Sequence, residues 1–361
     1  MLILRILGVI GGVLIVVLVL DAAVRTFVLP RGVPVMLTRM ISLSLRRAFD
    51  LVARPIKSFE QRERIMAMYG PLTLLTYPIV WLAGVLCGFT LMYRCTVSHT
   101  WAEALRFSGS ALFTLGFAIP TQTAELALVY AEATIGLGLL ALLLAYLPTI
   151  YGTFSRRESV VGQLSVRAGT PPAAIGMLIR AHQTDFVSEL DLLWQQWEVW
   201  FVEIEESHTS LAILNFFRSP NPKRSWLTAA GVVLDSAALR TSTLSEPYTP
   251  YAPICLRAGF LALRSIADYF SIPYDPDPPA DGPISITREQ YMGAYQRLAD
   301  AGVPVKADSE QAWRDFAGWR VNYDAVLNGL GALIIAPYAE WISDGDGTLR
   351  SRRPPLKVHR Q

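Results

Sequence analysis

The sequence predicts an all-α membrane protein: three transmembrane helices, a re-entrant helix and loop ahead of the third, and an all-helical soluble domain. Three observations predict it. Of 361 residues, 52% are hydrophobic and 17% charged, against about 25% charged in an ordinary globular domain. The shortfall is concentrated in roughly the first 155 residues, and the remaining two hundred or so have the composition of one soluble domain. No alternating apolar–polar ladder of the kind that marks strands occurs in that second part.

A helix needs about 20 apolar residues to cross the hydrocarbon core. Segments 2–20, 71–92 and 126–151 qualify, the first interrupted only by Arg5 and the second with Tyr69, Tyr77, Trp81 and Tyr93 as aromatic anchors. Asp21-Ala22-Ala23 offers a weak cleavage site. The single basic residue ahead of a long apolar run instead favours a retained span over a signal peptide.

Loop charge sets the expected orientation. Arg31, Arg39, Arg46, Arg47, Arg54, Lys57, Arg62 and Arg64 lie between spans one and two, and Arg156 and Arg157 follow span three. Only Arg94 and Arg106 lie between spans two and three. The positive-inside rule therefore predicts residues 29–69 and the chain after 152 to be cytoplasmic, in a cell membrane, with the N-terminus and 94–125 outside. Met36, Met40, Leu43, Leu51 and Ile56 alternate with arginines at helical spacing. That pattern fits a basic helix on the inner membrane face or one packed on the soluble domain.

Residues 101–118 are too short and too polar to cross alone, and too apolar for an exposed loop. Such a segment is expected to be re-entrant, because irregular backbone at membrane depth is tolerated only in a watery path or inside protein. Here the chain resembles the pore domain of the potassium channel family, with its outer helix, pore helix, filter and inner helix. The family filter is Thr-Val-Gly-Tyr-Gly, and this chain has Thr114-Leu115-Gly116-Phe117-Ala118. The start of the pore helix, Trp101 to Phe107, and the inner helix, with Glu132 followed by Gly136, also match, over about residues 70–157.

The resemblance implies a homotetrameric cation channel in which backbone carbonyls replace the hydration shell of potassium, the permeant species. No other cofactor is implied. Gly116 suits a position of positive φ. Thr114 would add a hydroxyl oxygen, Phe117 would pack outward as a wedge, and Trp101 and Glu132 would support the pore from behind. Ala118 stands where the family has its second glycine and Ile119 where it has an aspartate. Alanine is disfavoured at positive φ, so both departures predict weaker selectivity for potassium, and Ala118→Gly is expected to sharpen it. Gly136, Gly138 and Pro148 are candidate bending points in the inner helix, Pro148 near the cytoplasmic end where a gate would lie; the glycines equally suit close helix packing.

In the soluble part, Pro171 and Pro172 suit the first turn of a helix. Helical patterns follow at 183–206, 224–241 and 252–270, and from 308 to 335. Thr287 and Gln290 form a capping box for a helix that Gly302 ends. Trp194, Trp197 and Trp200 read as a core stripe. Asp275, Asp277 and Asp281 lack the bidentate glutamate of a calcium loop and read as solvated. Gly329-Leu330-Gly331 falls in a helical pattern rather than after a strand, as a nucleotide fold requires.

The expected organisation is an N-terminal span at 1–28, a basic linker at 29–69, a pore domain at 70–157, a helical cytoplasmic domain at 158–345 for assembly or gating, and a basic tail at 346–361. Cys87, Cys95 and Cys255 form no pair motif, and His99, His182, His208 and His359 have no metal-ligand spacing. An enzyme is not expected, nor is a nucleic-acid partner at net charge +2. Span one lacks the arginine ladder of a voltage sensor. The competing class is a non-conducting membrane sensor or scaffold on the same pore fold.

Overall fold

The computed structural model describes residues 2–27, 36–56, 58–96, 99–185 and 189–341. The basic tail, with His359, and Arg31 and Lys57 of the linker lie outside the described residues. Among the described residues the chain is helical without strands, apart from one isolated bridge between Leu244 and Val305. It divides into two compact units, Met1–Gly152 and Thr153–Gln361.

The first unit contains α1 (Leu2–Phe27), α2 (Met36–Ala53), α3 (Phe59–Ala67), α4 (Tyr69–Thr96), α5 (Trp101–Leu112) and the first part of α6 (Thr123–Ala168). Three segments are long and apolar enough to cross a membrane: α1, residues Gln61–Thr96 and α6. Helices α1 and α4 pack antiparallel, since Gly84 meets Val19, Gly88 meets Val16 and Gly12, and Gly8 meets Cys95. A Cβ on Gly12 would stand 2.5 Å from the Gly88 carbonyl oxygen, so glycine is what lets the two backbones approach. Close backbone approach through small residues is how apolar helices gain packing contacts where lipid supplies no hydrophobic drive. The rest of α1 is largely exposed, with Leu4, Leu7, Leu14 and Leu18 pointing away from the chain.

The second unit holds the end of α6, then α7 (Ala174–Gln183), α8 (Leu190–Ser210), a 3-10 turn (Ala212–Phe216), α9 (Trp226–Ser242), α10 (Tyr251–Tyr269), α11 (Arg288–Asp300), α12 (Ser309–Arg320) and α13 (Asp324–Ile334). Helix α9 is buried on nearly every side, Asp235 and Arg240 included, and forms the centre of the core. Trp194, Trp197 and Trp200 of α8 are buried there. Gly329 closes α13 onto Ile272, where a Cβ would fall 2.5 Å from Cγ2. The Thr287–Gln290 capping box starts α11, and Gly302, at φ +80°, follows its end. Asp275, Asp277 and Asp281 are exposed.

Several boundaries differ from the sequence expectation. The pattern expected at 183–206 is α8, which starts only at Leu190, after α7 has ended at Gln183. Helix α6 runs beyond 151 to Ala168 and stops where Gly169 takes φ +90°. Helix α7 begins at Ala174, with Pro171 and Pro172 in the preceding turn. The stretch from 308 to 335 is two helices. The Asn322 amide donates to the Gly318 and Trp319 carbonyls, ending α12 by satisfying its last acceptors. The break lets Arg320 pair with both Asp235 and Asp324 inside the core, where the Tyr323 hydroxyl also donates to Asp235.

Candidate functional site

The segment between α4 and α6 is organised from its N-terminal end. Thr100 caps α5: its hydroxyl accepts the Glu103 N–H at 3.2 Å, and Glu103 Oε2 accepts the Thr100 N–H at 2.8 Å. This reciprocal box satisfies two N–H groups that the first turn would otherwise leave open. Beside it, the buried carboxylate of Glu125 on α6 takes the Thr96 hydroxyl at 3.1 Å and His99 Nε2 at 2.9 Å. The end of α4, the start of α5 and the start of α6 thus meet at one level.

From there α5 descends between the two long helices. The Ser108 hydroxyl contacts the Leu86 carbonyl at 3.1 Å and the Glu132 carboxyl. Gly136 meets the last turn of α5 so closely that a Cβ would lie 2.3 Å from the Leu112 carbonyl oxygen. Between Thr123 and Gly136 the α6 axis covers roughly 20 Å at 1.5 Å per residue. The end of α5 therefore sits deep beside both neighbours, and residues 113–122 return to the level of Thr123. Their reach when extended, about 33 Å, is ample for that rise.

The return is not helical. Thr114 has φ +53° and Gly116 φ +72°. Glycine adopts this region freely, whereas a β-branched threonine there is a genuine outlier. Ser110 holds the turn in place. Its carbonyl accepts the N–H of Leu115 at 2.9 Å and of Gly116 at 3.4 Å, and its hydroxyl accepts the Ala118 N–H at 3.1 Å. Ala118 is not among the residues with positive φ. The steric penalty expected of it on sequence grounds therefore falls on Thr114 instead.

The other candidate residues take distinct places. Thr114, Leu115, Gly116 and Phe117 are exposed on the single chain, Phe117 at 62%. Trp101 is exposed, with the Arg94 guanidinium 5.8 Å from its ring centre. Glu132 is fully buried behind α5. One of its oxygens meets Ser108, and the buried Tyr93 hydroxyl faces the same carboxyl. Gly136 acts in packing against α5. Gly138 lines an open apolar groove of about 460 Å³ with Leu20, Ala23, Ile135 and Leu142. Pro148 lies inside an unbroken α6.

Sequence reasoning did not single out Ser108, Ser110 or Glu125, and it gave His99 no role. Glu125 carried a readable signal, a second carboxylate at the head of an apolar span. The serines carried none, because small hydroxyl residues occur anywhere on a helix. Comparison of the chain with protein-family models, curated proteins and solved structures finds no match.

Proposed function

We propose that the chain is the subunit of a homotetrameric cation channel, related to the potassium channels, with α4 as outer helix, α5 as pore helix, Thr114–Ala118 as filter and α6 as inner helix. The observation that carries this reading is the left-handed backbone at Thr114 and Gly116, directly after a capped short helix that ends deep between two apolar helices. Strained backbone of this kind persists where surrounding structure over-determines it, and it concentrates at functional sites. Here Ser110 does the holding. A ring of such segments would present backbone carbonyls to a dehydrating ion.

The exposure of Phe113, Leu115, Phe117 and Ile119 on the single chain supports an assembly in which neighbouring copies cover them. One such segment cannot enclose an ion, and a cyclic ring closes the contact. The N-terminus and the capped start of α5 would face outside. The helical second unit would be cytoplasmic and serve assembly or gating.

The test is ion flux in liposomes holding the purified protein, with potassium, rubidium and sodium gradients compared, alongside the protein mass in detergent after lipid subtraction. A tetramer that passes potassium ahead of sodium is expected. A monomer or dimer, or a tetramer without flux, would favour the scaffold class.

A further inference from the structure

The first unit carries one strongly patterned surface that a pore does not use, the outer face of α2. The inner face of this helix is tied to the long helices. The Thr38 and Thr26 hydroxyls meet at 2.9 Å, Ser42 Oγ meets the Tyr77 hydroxyl at 2.7 Å, and the Tyr69 hydroxyl donates to the Ser42 carbonyl at 3.1 Å. Ile41 is buried, and the Arg46 guanidinium lies 5.5 Å from the Tyr69 ring centre. Asp50, the one acid on α2, pairs with Arg46 at 3.5 Å.

The opposite face is open. Met36, Met40 and Leu51 are 77%, 55% and 69% exposed, and Arg47 and Arg54, just past the helix end, are exposed as well. These residues recur at steps of three, four or seven and so form one stripe. Neither arginine forms an ion pair among the described residues. The level of the helix is also defined. Phe27, the last residue of α1, packs edge-on against Trp81 at 4.9 Å. Tyr77 and Tyr69 therefore lie beyond the end of the apolar run of α1, a level that suits the headgroup layer, where aromatic and basic side chains are enriched.

We infer that the outer face of α2 is a docking surface for the headgroup layer of anionic phospholipid. Arg47 and Arg54 engage lipid phosphates, while Met36, Met40 and Leu51 enter the adjoining acyl boundary. A soluble acidic partner would satisfy the arginines but leave the large apolar side chains in the same stripe unexplained. A charge layer next to hydrocarbon satisfies both. The inference does not depend on conduction.

The test uses the full-length protein in mixed lipid vesicles, with Cys87→Ser and Cys95→Ser introduced and the buried Cys255 kept. A fluorophore is attached at Ser44→Cys, on the exposed face of α2. Quenching by brominated phosphatidylglycerol is compared with quenching by brominated phosphatidylcholine at equal mole fraction. A basic side chain strengthens association with an anionic surface by roughly fivefold. Phosphatidylglycerol is expected to quench several-fold more strongly, with the difference collapsing in Arg47→Gln/Arg54→Gln and surviving in Arg47→Lys/Arg54→Lys. Equal quenching by both lipids would overturn the anionic preference. Absence of quenching by either would show the face covered by protein and overturn the docking surface altogether.

Discussion

The Ser110 hydroxyl accepts a hydrogen bond from the Ala118 N–H at 3.1 Å, spanning the whole Thr114–Phe117 turn from the last residues of α5. The Ser110 carbonyl takes two further N–H groups of the same turn, so one residue organises the proposed filter from both its side chain and its backbone. Ser110→Ala removes only the hydroxyl contact. A neutral hydrogen bond contributes about 1 kcal/mol net, too little to unfold the chain. The expected result is an intact tetramer with reduced discrimination between potassium and sodium, read from the reversal potential under opposed gradients. An unchanged reversal potential would show that the hydroxyl contact does not shape the filter.

Gly116→Val is expected to abolish flux while leaving the protein folded. Valine is β-branched and resists φ +72°, and in a ring the displaced carbonyls would be lost from every subunit together. Liposome flux and detergent mass are the two readouts. Undiminished flux would place the permeation path elsewhere.

Ala118→Gly separates the two views of the filter. On the family pattern it should sharpen selectivity by relieving strain. In the structure Ala118 carries no positive φ, so there is no strain to relieve. The expected outcome is unchanged or weakened selectivity, because glycine adds freedom to the unfolded chain and to the turn alike. Thr114 does carry that strain, at φ +53°, so Thr114→Gly should raise the melting temperature while removing the threonine hydroxyl from the proposed filter. A sharpened potassium preference in Ala118→Gly would show that the conducting filter differs at this position.

Glu132 and Ser108 form the contact that fixes α5 against α6. The serine has one proton, and both the Leu86 carbonyl and the Glu132 carboxyl lie within its reach. Glu132→Gln supplies an N–H to the serine oxygen and frees the serine proton for Leu86. It should leave stability within about 1 kcal/mol of the parent. Glu132→Ala should cost about 1–3 kcal/mol, the range for leaving buried polar partners unmet, and lower the melting temperature. Equal melting temperatures for the two variants would remove Glu132 from the support of α5.

In the second unit His208 is buried, with Nε2 at 3.1 Å from the Arg157 guanidinium and Nδ1 at 3.0 Å from the Ser207 hydroxyl. Burial, followed by the positive charge of Arg157, holds its pKa well below the usual histidine range. The folded state thus keeps the imidazole neutral while the unfolded chain protonates it near pH 6.5. Its stabilising contribution is fully present above that value and is lost as the pH falls below it. Melting temperature should drop from pH 7 toward pH 5.5, and His208→Gln should flatten that slope. A slope of the same size in the variant would assign the acid sensitivity to other groups.

Much of this architecture was determined by the sequence alone, because the relevant physics is local. A run of about 20 apolar residues is a property of the segment itself, and each of the three expected spans falls within one of the three helical segments able to cross a membrane. The Thr287–Gln290 box and the stripe Trp194, Trp197 and Trp200 are likewise read from fixed short spacings. Tertiary structure alone decided what depends on partners distant in the chain. Thr114, and not Ala118, takes the left-handed backbone because Ser110 binds the turn from eight residues away. Gly136 is spent on contact with Leu112, since α5 descends to meet it. Asn322 divides α12 from α13 where Arg320 must reach Asp235. None of these choices is encoded in periodicity; each follows from which hydrogen-bonding and steric neighbours the packed chain brings within a few ångströms.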